Sequence, residues 1–305
     1  MRKQQTATPL ASEVRTNRLV ERLIWSLRDT RLARRISLSL SVRYRGRSIR
    51  VPVIDGLGLG NSRLTEPWML PLLERLLALD SRAVLDVGVN LGQTLMKFLL
   101  LSDGRRYIGC EPNPLCVFYV ERMAALNDAR SVAIIPCGLS DQHGVLQLFS
   151  GGPVDSAASL VAGFRDASEY TSSRIAIVAP GDEVLQVAGA PPIGILKIDV
   201  EGAELDVLRG LHQTLARDRP LVVCEILPTY SDTTENGRMR RKRADAVTEV
   251  MTSLGYRMYR INHAGGLQPL DRVETHGDVE LSDYLFAPRE RSGDVERAFG
   301  VAAAH

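Results

Sequence analysis

The segment AVLDVGVNLGQT, residues 83–94 of this 305-residue chain, combines a short apolar run with two closely spaced glycines. Its first five residues are apolar except for Asp86, the pattern of a parallel strand buried on both faces. Gly88 and Gly92 follow, and an apolar helical pattern begins at Thr94. Strand, glycine turn and helix in this order bring the backbone close to a ligand at the carboxyl end of a strand. The segment therefore predicts an α/β sheet with a nucleotide-like ligand at this turn.

The spacing of the glycines narrows the choice of ligand. A dinucleotide-binding turn reads G-x-G-x-x-G, whereas Asn90 and Gln93 stand here where its second and third glycines belong. The G-x-N-x-G turn, with Asp86 two residues before it, suits a cationic nucleoside that carries an amino acid, as S-adenosylmethionine does. Asp86 is then predicted near the ammonium group, with the glycine backbone beside the methionine chain. The alternative is a buried strand, turn and helix that bind no ligand.

Strand-like and helix-like segments alternate along the rest of the chain, as in a parallel α/β sheet. We predict seven main strands: Ala83–Val87, Arg106–Cys110, Ser131–Cys137, Ile193–Ile198, Leu221–Ile226, Arg257–Ile261 and Tyr284–Ala287. The predicted helices include Glu66–Leu79, Leu115–Leu126, Ala203–Ala216 and Ala244–Leu254.

Three further segments of this region are assigned less regular roles. Val145–Phe149 is predicted as a small edge strand. Ser150–Ser173 has no clear period and is a candidate substrate loop, and Pro228–Arg243 is a second. The basic run 238–243 within it is interpreted as a solvated helix start, with an anion contact as the less favoured alternative.

The first 75 residues form a basic extension. Residues 1–50 contain 13 Lys or Arg and three acidic residues, a net charge of +10, which leaves −8 for the remainder. We predict an amphipathic helix from Val14 to about Leu32, a β-hairpin over Ile36–Val53 and a glycine-rich connector at Asp55–Asn61. The helix is predicted to pack on the central domain, and peripheral contact with an anionic membrane surface is the alternative.

Composition indicates the compartment. No apolar run approaches the length of about 18 residues that a membrane span requires, and no signal-peptide pattern follows Arg2 and Lys3. The cysteines at 110, 116, 137 and 224 form no C-x-x-C pair and are interpreted as reduced core residues. We expect a cytoplasmic protein, with the basic helix as the candidate for contact with the inner face of the membrane.

Carboxylates follow several predicted strands. Glu111 ends the second strand, at the offset from the glycine turn where a carboxylate binds a nucleotide ribose. Asp141, next to Ser140 after the third strand, is predicted at the adenine edge. Asp199, Glu201, Glu204 and Lys197 cluster where the fourth strand ends, and Glu225 ends the fifth. Charges at the end of a buried strand are costly unless they are paired or face a ligand. An ion-pair network at the strand ends and a ligand-binding site therefore both remain open interpretations.

The sequence resembles the FkbM family of S-adenosylmethionine-dependent methyltransferases. The resemblance covers roughly residues 80–290 and is carried by LDVGVNLGQT, GCEPNPL, the GLSD turn and ILKIDVEGAELDVLRG. It implies a class I methyltransferase fold: a Rossmann-like sheet of seven mostly parallel strands, the last antiparallel, with helices on both faces. Residues 76–290 would be the methyltransferase domain, and 291–305 a C-terminal tail.

The resemblance also implies roles for particular residues. The implied cofactor set is Asp86, Gly88, Asn90, Gly92, Thr94, Glu111, Ser140, Asp141 and Asp199. Asp199 and Glu201 would lie closest to the transferred methyl group. Two departures are the presence of Val89 where the family usually has alanine, and Pro180–Glu183 where it often reads T-L-D-D.

The expected reaction is methylation of a hydroxyl group on a sugar (a glycan or glycolipid) or on a polyketide-like natural product. An aliphatic hydroxyl needs a base, and Asp199 is the first candidate, followed by Glu201 and Glu225. His143, His212 and His263 lie in no matched motif. Mg2+ bound by the carboxylates is a less favoured alternative, because no separate ligand spacing indicates it.

Two other functions remain open. An RNA-directed methyltransferase is disfavoured, because Asp199-Val200-Glu201-Gly202 replaces the Pro-Pro-aromatic pattern of enzymes that methylate nucleic-acid bases, although the N-terminus is basic. The other rival is a non-catalytic binding or scaffold protein in a biosynthetic complex. The identity of the acceptor and the oligomeric state are not readable from the sequence.

Overall fold

The computed structural model describes residues 14–15, 37–101, 104–231 and 233–301. Its strands in chain order are β1 (Val14–Arg15), β2 (Leu38–Tyr44), β3 (Arg47–Val53), β4 (Ala83–Val87), β5 (Tyr107–Cys110), β6 (Val132–Ile135), β7 (Gly138–Ser140), β8 (Gly144–Ser150), β9 (Ser172–Pro180), β10 (Ile193–Ile198), β11 (Leu221–Glu225), β12 (Tyr256–Ile261), β13 (Leu267–Leu270) and β14 (Asp283–Pro288).

The α-helices lie between these strands and after the last of them. They are α1 (Met69–Leu79), α2 (Gln93–Leu101), α3 (Pro114–Leu126), α4 (Gly181–Val187), α5 (Glu204–Gly210), α6 (His212–Asp218), α7 (Glu235–Ser253) and α8 (Ser292–Phe299). Short 3-10 helices occupy Leu59–Ser62, Ala167–Glu169, Val279–Leu281 and Arg289–Arg291.

Eight strands form the main sheet, in the order β13-β12-β14-β11-β10-β4-β5-β6. From β11 to β6 the neighbours pair in parallel, while β14 is antiparallel to both β11 and β12. The predicted α/β class, with a mostly parallel sheet and an antiparallel last strand, is therefore confirmed. The edge strand β13 was not predicted, because its sequence LQPL is short and contains proline.

Separate apolar clusters cover the two faces of this sheet. One cluster joins the sheet to α1, α2, α3, α8 and the β2-β3 hairpin, and includes Val42, Leu73 and Phe98. The other joins the opposite face to α4 through α7, and includes Leu208 and Met251. Because both faces are buried, the central strands read as continuous apolar runs and the sequence pattern could identify them.

The described part of the N-terminal extension packs into the first of these clusters. The predicted hairpin is present as β2 and β3. Val14 and Arg15 pair as β1 with the outer edge of β2, so the helix predicted from Val14 to Leu32 is wrong at its first two residues. An unpaired strand edge offers backbone donors and acceptors that a helix start does not use. Residues 16–32 lie outside the described part of the chain.

Two helix predictions differ from the structure. The predicted helix over 203–216 is divided into α5 and α6 at Leu211, where a Cβ on Gly210 would lie 1.7 Å from the main-chain oxygen of Ser140. This close packing against β7 sets the bend. Helix α7 begins at Glu235 rather than Ala244, with the Thr234 hydroxyl accepting a hydrogen bond from the Gly237 amide.

A second sheet of three strands, in the order β7-β9-β8, lies beside the main sheet. The predicted edge strand at 145–149 is β8 of this smaller sheet. Strand β9 was missed, because Ile175 and Ile177 are exposed while Ala176 and Val178 are buried, so apolar residues occupy both faces and no alternation appears. The expected loop over 150–173 therefore ends in β9. Within the described residues, no helix combines the length and apolar character needed to cross a bilayer.

Candidate active site

A cavity of about 340 Å³ opens at the carboxyl ends of β4, β5, β10 and β11. This is the edge where parallel α/β sheets bind ligands. The predicted site residues that line it are Gly88, Asn90, Thr94, Glu111, Asp199, Glu201 and Glu225. Asp86, Gly92, Ser140 and Asp141 are not among its lining residues.

The turn after β4 carries a carboxylate at one end of the cavity. Glu111 accepts hydrogen bonds from the backbone amides of Asn90 and Asn113, both at 2.8 Å. Asn90 has φ +49° and Gly88 has φ +87°, which bend the chain tightly. Burial raises the pKa of Glu111 to about 7 despite these two amides. The carboxylate is thus fixed in direction and able to accept further hydrogen bonds from ligand hydroxyls.

Asp86, which is predicted beside a ligand ammonium group, does not line the cavity. Its side chain is fully buried and accepts a hydrogen bond from the Tyr107 hydroxyl on β5. Burial raises the pKa of Asp86, while the nearby charge of Lys197 opposes that shift. The contact of Asp86 with a ligand ammonium group therefore stays a prediction: among the described residues, its Oδ1 is buried and has no hydrogen-bond partner. Gly92 is also buried, against Val120 and Met123.

Ser140 and Asp141 do not reach the cavity either. Ser140 is the last residue of the small-sheet strand β7 and is buried, and Asp141 follows it and is exposed. The preceding residues Gly138 and Leu139 line the cavity instead. The chain leaves the main sheet before Asp141, so Asp141 does not line the cavity, and its contact with an adenine stays a prediction.

The loop after β8, predicted as a substrate loop, lies over this end of the cavity. The side-chain amide of Asn113 donates to the Pro153 carbonyl at 2.9 Å, and that of Asn90 donates to the Asp155 carbonyl at 3.2 Å. Ala158 and Leu160 of the same loop line the cavity with apolar surface. Glu111 and this apolar wall together offer groups suited to a ribose and a base.

Asp199 and Glu225 form a half-buried pair at the other end. The Lys197 ammonium donates to Asp199 Oδ2 at 2.8 Å. Burial would raise the pKa of Asp199, but Lys197 and a hydrogen bond from Glu225 hold it below its ordinary value. Burial and the charge of Asp199 raise the pKa of Glu225 well above its ordinary range. Asp199 is therefore the ionised partner, and Glu225 carries the shared proton.

Glu201 lies in the turn after β10 with φ +52°. The Arg165 guanidinium donates to its Oε2 at 2.6 Å, and the Ser159 hydroxyl donates to its main-chain oxygen at 2.7 Å. Burial and the charge of Asp199 raise the pKa of Glu201 to about 7, against the effect of Arg165. Left-handed backbone at a residue other than glycine costs about 1–2 kcal/mol, so the turn holds Glu201 towards the cavity against a local penalty.

The carboxylates of Asp199, Glu201 and Glu225 have oxygens within 4.8 Å of one another, close enough for a divalent cation. Their charge is already balanced from within the chain, because Lys197 binds Asp199, Arg165 binds Glu201 and Glu225 holds a proton. The described residues therefore fit a Mg2+ ion poorly as they stand.

Several cavity residues were missed by the sequence reading. Thr65 and Glu66 come from the connection before α1, outside the segments that carry the family resemblance, and no sequence signal indicates them. Asn113 lies in GCEPNPL and Asp155 in the predicted substrate loop, so both had a signal. None of His143, His212 and His263 lines the cavity.

His263 nonetheless lies near this end of the sheet. Its Nε2 is 2.8 Å from Asp283 Oδ2, and its ring stacks on Trp68 with centroids 4.1 Å apart. Asp283 is paired in register with Glu225 across β14 and β11. The hydrogen bond to Asp283 raises the pKa of His263.

Comparison with known proteins was made by sequence and by structure. The sequence model of the methyltransferase FkbM domain matches residues 86–258. Methyltransferase sdnD of Sordaria araneosa is 28% identical over 156 residues, covering 43% of this chain and 60% of that protein. Hexuronic acid methyltransferase AglP of Haloferax volcanii is 31% identical over 132 residues, covering 43% of this chain and 50% of that protein. The chain thus spans about half the length of these curated relatives.

A solved structure of methyltransferase FkbM from Methylobacillus flagellatus is also similar. It has a TM-score of 0.43 and 15% identity, and the match covers 67% of this chain and 43% of that one.

Proposed function

The chain belongs to the FkbM methyltransferase family, and from this we propose that it is an S-adenosylmethionine-dependent O-methyltransferase. One observation carries the proposal. A single cavity places Glu111 at the end of β5 and the carboxylates of Asp199, Glu201 and Glu225 at the ends of β10 and β11. A cationic nucleoside requires a carboxylate that binds its ribose and negative charge near its cationic end. A hydroxyl acceptor requires a group that removes its proton.

The residues fit the proposed cofactor at both ends. Glu111 would accept hydrogen bonds from the ribose hydroxyls. The backbone amides of Asn90 and Asn113 fix the orientation of its carboxylate. Leu139, Leu148, Ala158 and Leu160 supply apolar surface for the base. The ionised Asp199 provides negative charge for the cationic end. When bound, S-adenosylmethionine supplies a methyl group on a sulfonium centre.

Glu201 is the general base that we favour, ahead of Asp199. Asp199 is stabilised as an anion by Lys197 and by the proton on Glu225, which makes it a weak base. A pKa of about 7 suits a group that removes a proton near neutral pH. Arg165 occupies Glu201 Oε2 and leaves Oε1 for the acceptor hydroxyl. Glu225 carries the proton of its hydrogen bond to Asp199 and so holds the pair in one charge state.

The acceptor class that we propose is a hydroxyl of a sugar, in a glycan or glycolipid, or of a polyketide-like natural product. The relative named as a hexuronic acid methyltransferase supports a sugar acceptor. Peripheral contact of the basic residues 1–35 with an anionic membrane is a further part of the proposal. Liposome binding that is unchanged after deletion of residues 1–35 would contradict that part.

Calorimetric titration with S-adenosylmethionine and S-adenosylhomocysteine tests the proposal. We expect micromolar binding by the wild type and binding weaker by about tenfold or more in Glu111→Ala, since a charged hydrogen-bond acceptor is lost. Glu121→Ala, which removes an exposed glutamate on α3, is the matched control and should bind normally. If the wild type binds neither compound, the proposal fails and a scaffold role replaces it.

A further inference from the structure

The connection before α1 contributes a carboxylate to the cavity from outside the segment that the family model matches. Glu66 lines the cavity together with Thr65. Its backbone has φ +46°, a left-handed conformation that side-chain-bearing residues rarely adopt, and its carbonyl accepts from the Met69 amide as α1 begins. Glu66 shares this conformation with Asn90 and Glu201, which also line the cavity. Strained backbone of this kind is typical of functional sites.

A buried lysine fixes the Glu66 side chain. Lys97 on α2 is fully buried, and its Nζ lies 3.1 Å from Glu66 Oε2. An ammonium group without water needs a partner, so this ion pair keeps the carboxylate at the cavity wall. The Glu66 side chain is still 44% exposed, and Oε1 accepts no hydrogen bond from the part of the chain that the structure describes. One oxygen is therefore committed to Lys97 and the other is directed to solvent or ligand.

The charges near Glu66 are balanced without it. Lys97 and Lys197 are two cations, and Asp86 and Asp199 are two anions within electrostatic reach of them. Glu66 adds a third carboxylate and gives this group a formal charge of −1. The proposed cofactor has a sulfonium, an α-ammonium and a carboxylate, so its amino-acid end has a net charge of +1. The opposite charges of this group and of the amino-acid end of the cofactor favour binding at this end of the cavity.

The strand order separates this end from the ribose end. Glu111 ends β5, whereas Asp199 ends β10, two strands away and thus about 10 Å across the sheet. Glu66 lies on the β10 side, since Trp68, two residues further along, stacks on His263, which binds Asp283 of β14. Asp86, the carboxylate that the sequence indicated for this task, is fully buried and bound to Tyr107.

We propose that Glu66, held in place by Lys97, binds the α-ammonium group of the cofactor. The inference rests on the proposed function and names a binding residue that the family motifs do not contain. It also gives the N-terminal extension a direct part in cofactor binding.

The test compares two ligands that differ in the amino-acid end. S-adenosylhomocysteine carries the ammonium group, and 5′-methylthioadenosine lacks the amino acid. In Glu66→Gln of the full chain, we expect calorimetry to show about tenfold or more weaker binding of S-adenosylhomocysteine and unchanged binding of 5′-methylthioadenosine. Glu74→Gln, an exposed glutamate on α1 that pairs with Arg45, is the control and should change neither.

A second variant guards against loss of folding. Glu66→Gln leaves Lys97 buried without its partner, so the double variant Glu66→Gln with Lys97→Met removes both charges and should give the same ligand-selective loss. Equal weakening of both ligands would assign Glu66 a structural role, and no weakening of either would remove it from the cofactor site. Both results overturn the inference. Failure of the wild type to bind either ligand would instead overturn the proposed function.

Discussion

A Cβ atom on Gly88 would lie 1.8 Å from the main-chain oxygen of Asp199. The two residues end neighbouring parallel strands, and the Asp199 amide donates to the Val87 carbonyl at 3.0 Å. The glycine therefore permits the turn after β4 and the carboxylate turn after β10 to come together. Both residues line the cavity.

Gly88→Ala should lower the free energy of unfolding by about 2 kcal/mol or more, because the new methyl group meets backbone and φ is +87°. Urea unfolding measures the change. Gly60→Ala is the control, since its Cβ would meet nothing within 4 Å. Equal stability of the two variants would show that the strand ends separate at little cost.

Glu201→Gln should reduce kcat by about 10²–10⁴, as expected for loss of a general base. The wild-type kcat/KM should rise as the pH increases through about 7, because Glu201 acts when deprotonated and its pKa lies there. This rise of kcat/KM with pH should be absent in the variant. Release of S-adenosylhomocysteine during methylation of a hydroxyl acceptor measures both quantities.

The control for this substitution is Glu169→Gln. Glu169 is the other carboxylate near Arg165, at 3.5 Å, and is half exposed. It should keep the wild-type rate and pH profile. A pH limb that persists in Glu201→Gln would transfer the role of base to another group.

Arg240 on α7 joins two loops over the site. Its guanidinium donates to the Phe164 carbonyl at 2.8 Å and to the Pro228 carbonyl at 3.2 Å, and it lies over the Phe164 ring. Arg240→Ala should therefore cost about 1–3 kcal/mol of stability and expose the loop at 151–171 to protease. The basic run at 238–243 lies inside α7 rather than at its start, and Arg240 binds main-chain carbonyls, so its interpretation as a solvated helix start is only partly correct.

Arg238→Ala is the control for Arg240. Its side chain is exposed and donates to the Thr233 carbonyl within the same segment. Urea unfolding and limited proteolysis should show little change. If both variants are cleaved alike, the clamp on Phe164 does not hold the loop.

Millimolar Mg2+ should leave the melting temperature and the affinity for S-adenosylhomocysteine unchanged. Lys197, Arg165 and the proton on Glu225 already neutralise the carboxylate cluster, so a cation would have to displace them. Differential scanning fluorimetry and calorimetry, each with and without EDTA, measure these effects. A rise in melting temperature with Mg2+ that is lost in Asp199→Asn would establish a metal site instead.

The central strands were predictable because burial on both faces leaves a continuous apolar run. Ala83–Val87 and Ile193–Ile198 have the predicted bounds in the structure. Strand β9 also contains an apolar run, residues 175–179, although one of its faces is exposed, so an apolar run by itself does not show which sheet a strand joins. The first two residues of the predicted N-terminal helix failed for a different reason, because pairing with β2 is a tertiary contact.

Local motifs predicted part of the site. The glycine turn, Glu111 and the Asp199–Glu201 turn line the cavity because the carboxyl ends of parallel strands meet at one edge. The same reasoning did not predict that Asp141 lies outside the cavity lining, because the chain enters the small sheet at β7. The position of Asp86 in β4 did not by itself indicate that its side chain would be fully buried and hydrogen-bonded to Tyr107.

Sequence by itself determined the α/β class, the glycine turn and the order of the carboxylates, because these depend on residues that are neighbours in the chain. Only the tertiary structure decided which carboxylates are accessible and which are charged. Glu66 reaches the cavity through its ion pair with Lys97 from α2, and Glu225 shares a proton with Asp199 from the adjacent strand. Burial and distance between remote segments set these states, and neither is encoded in the spacing of any local motif.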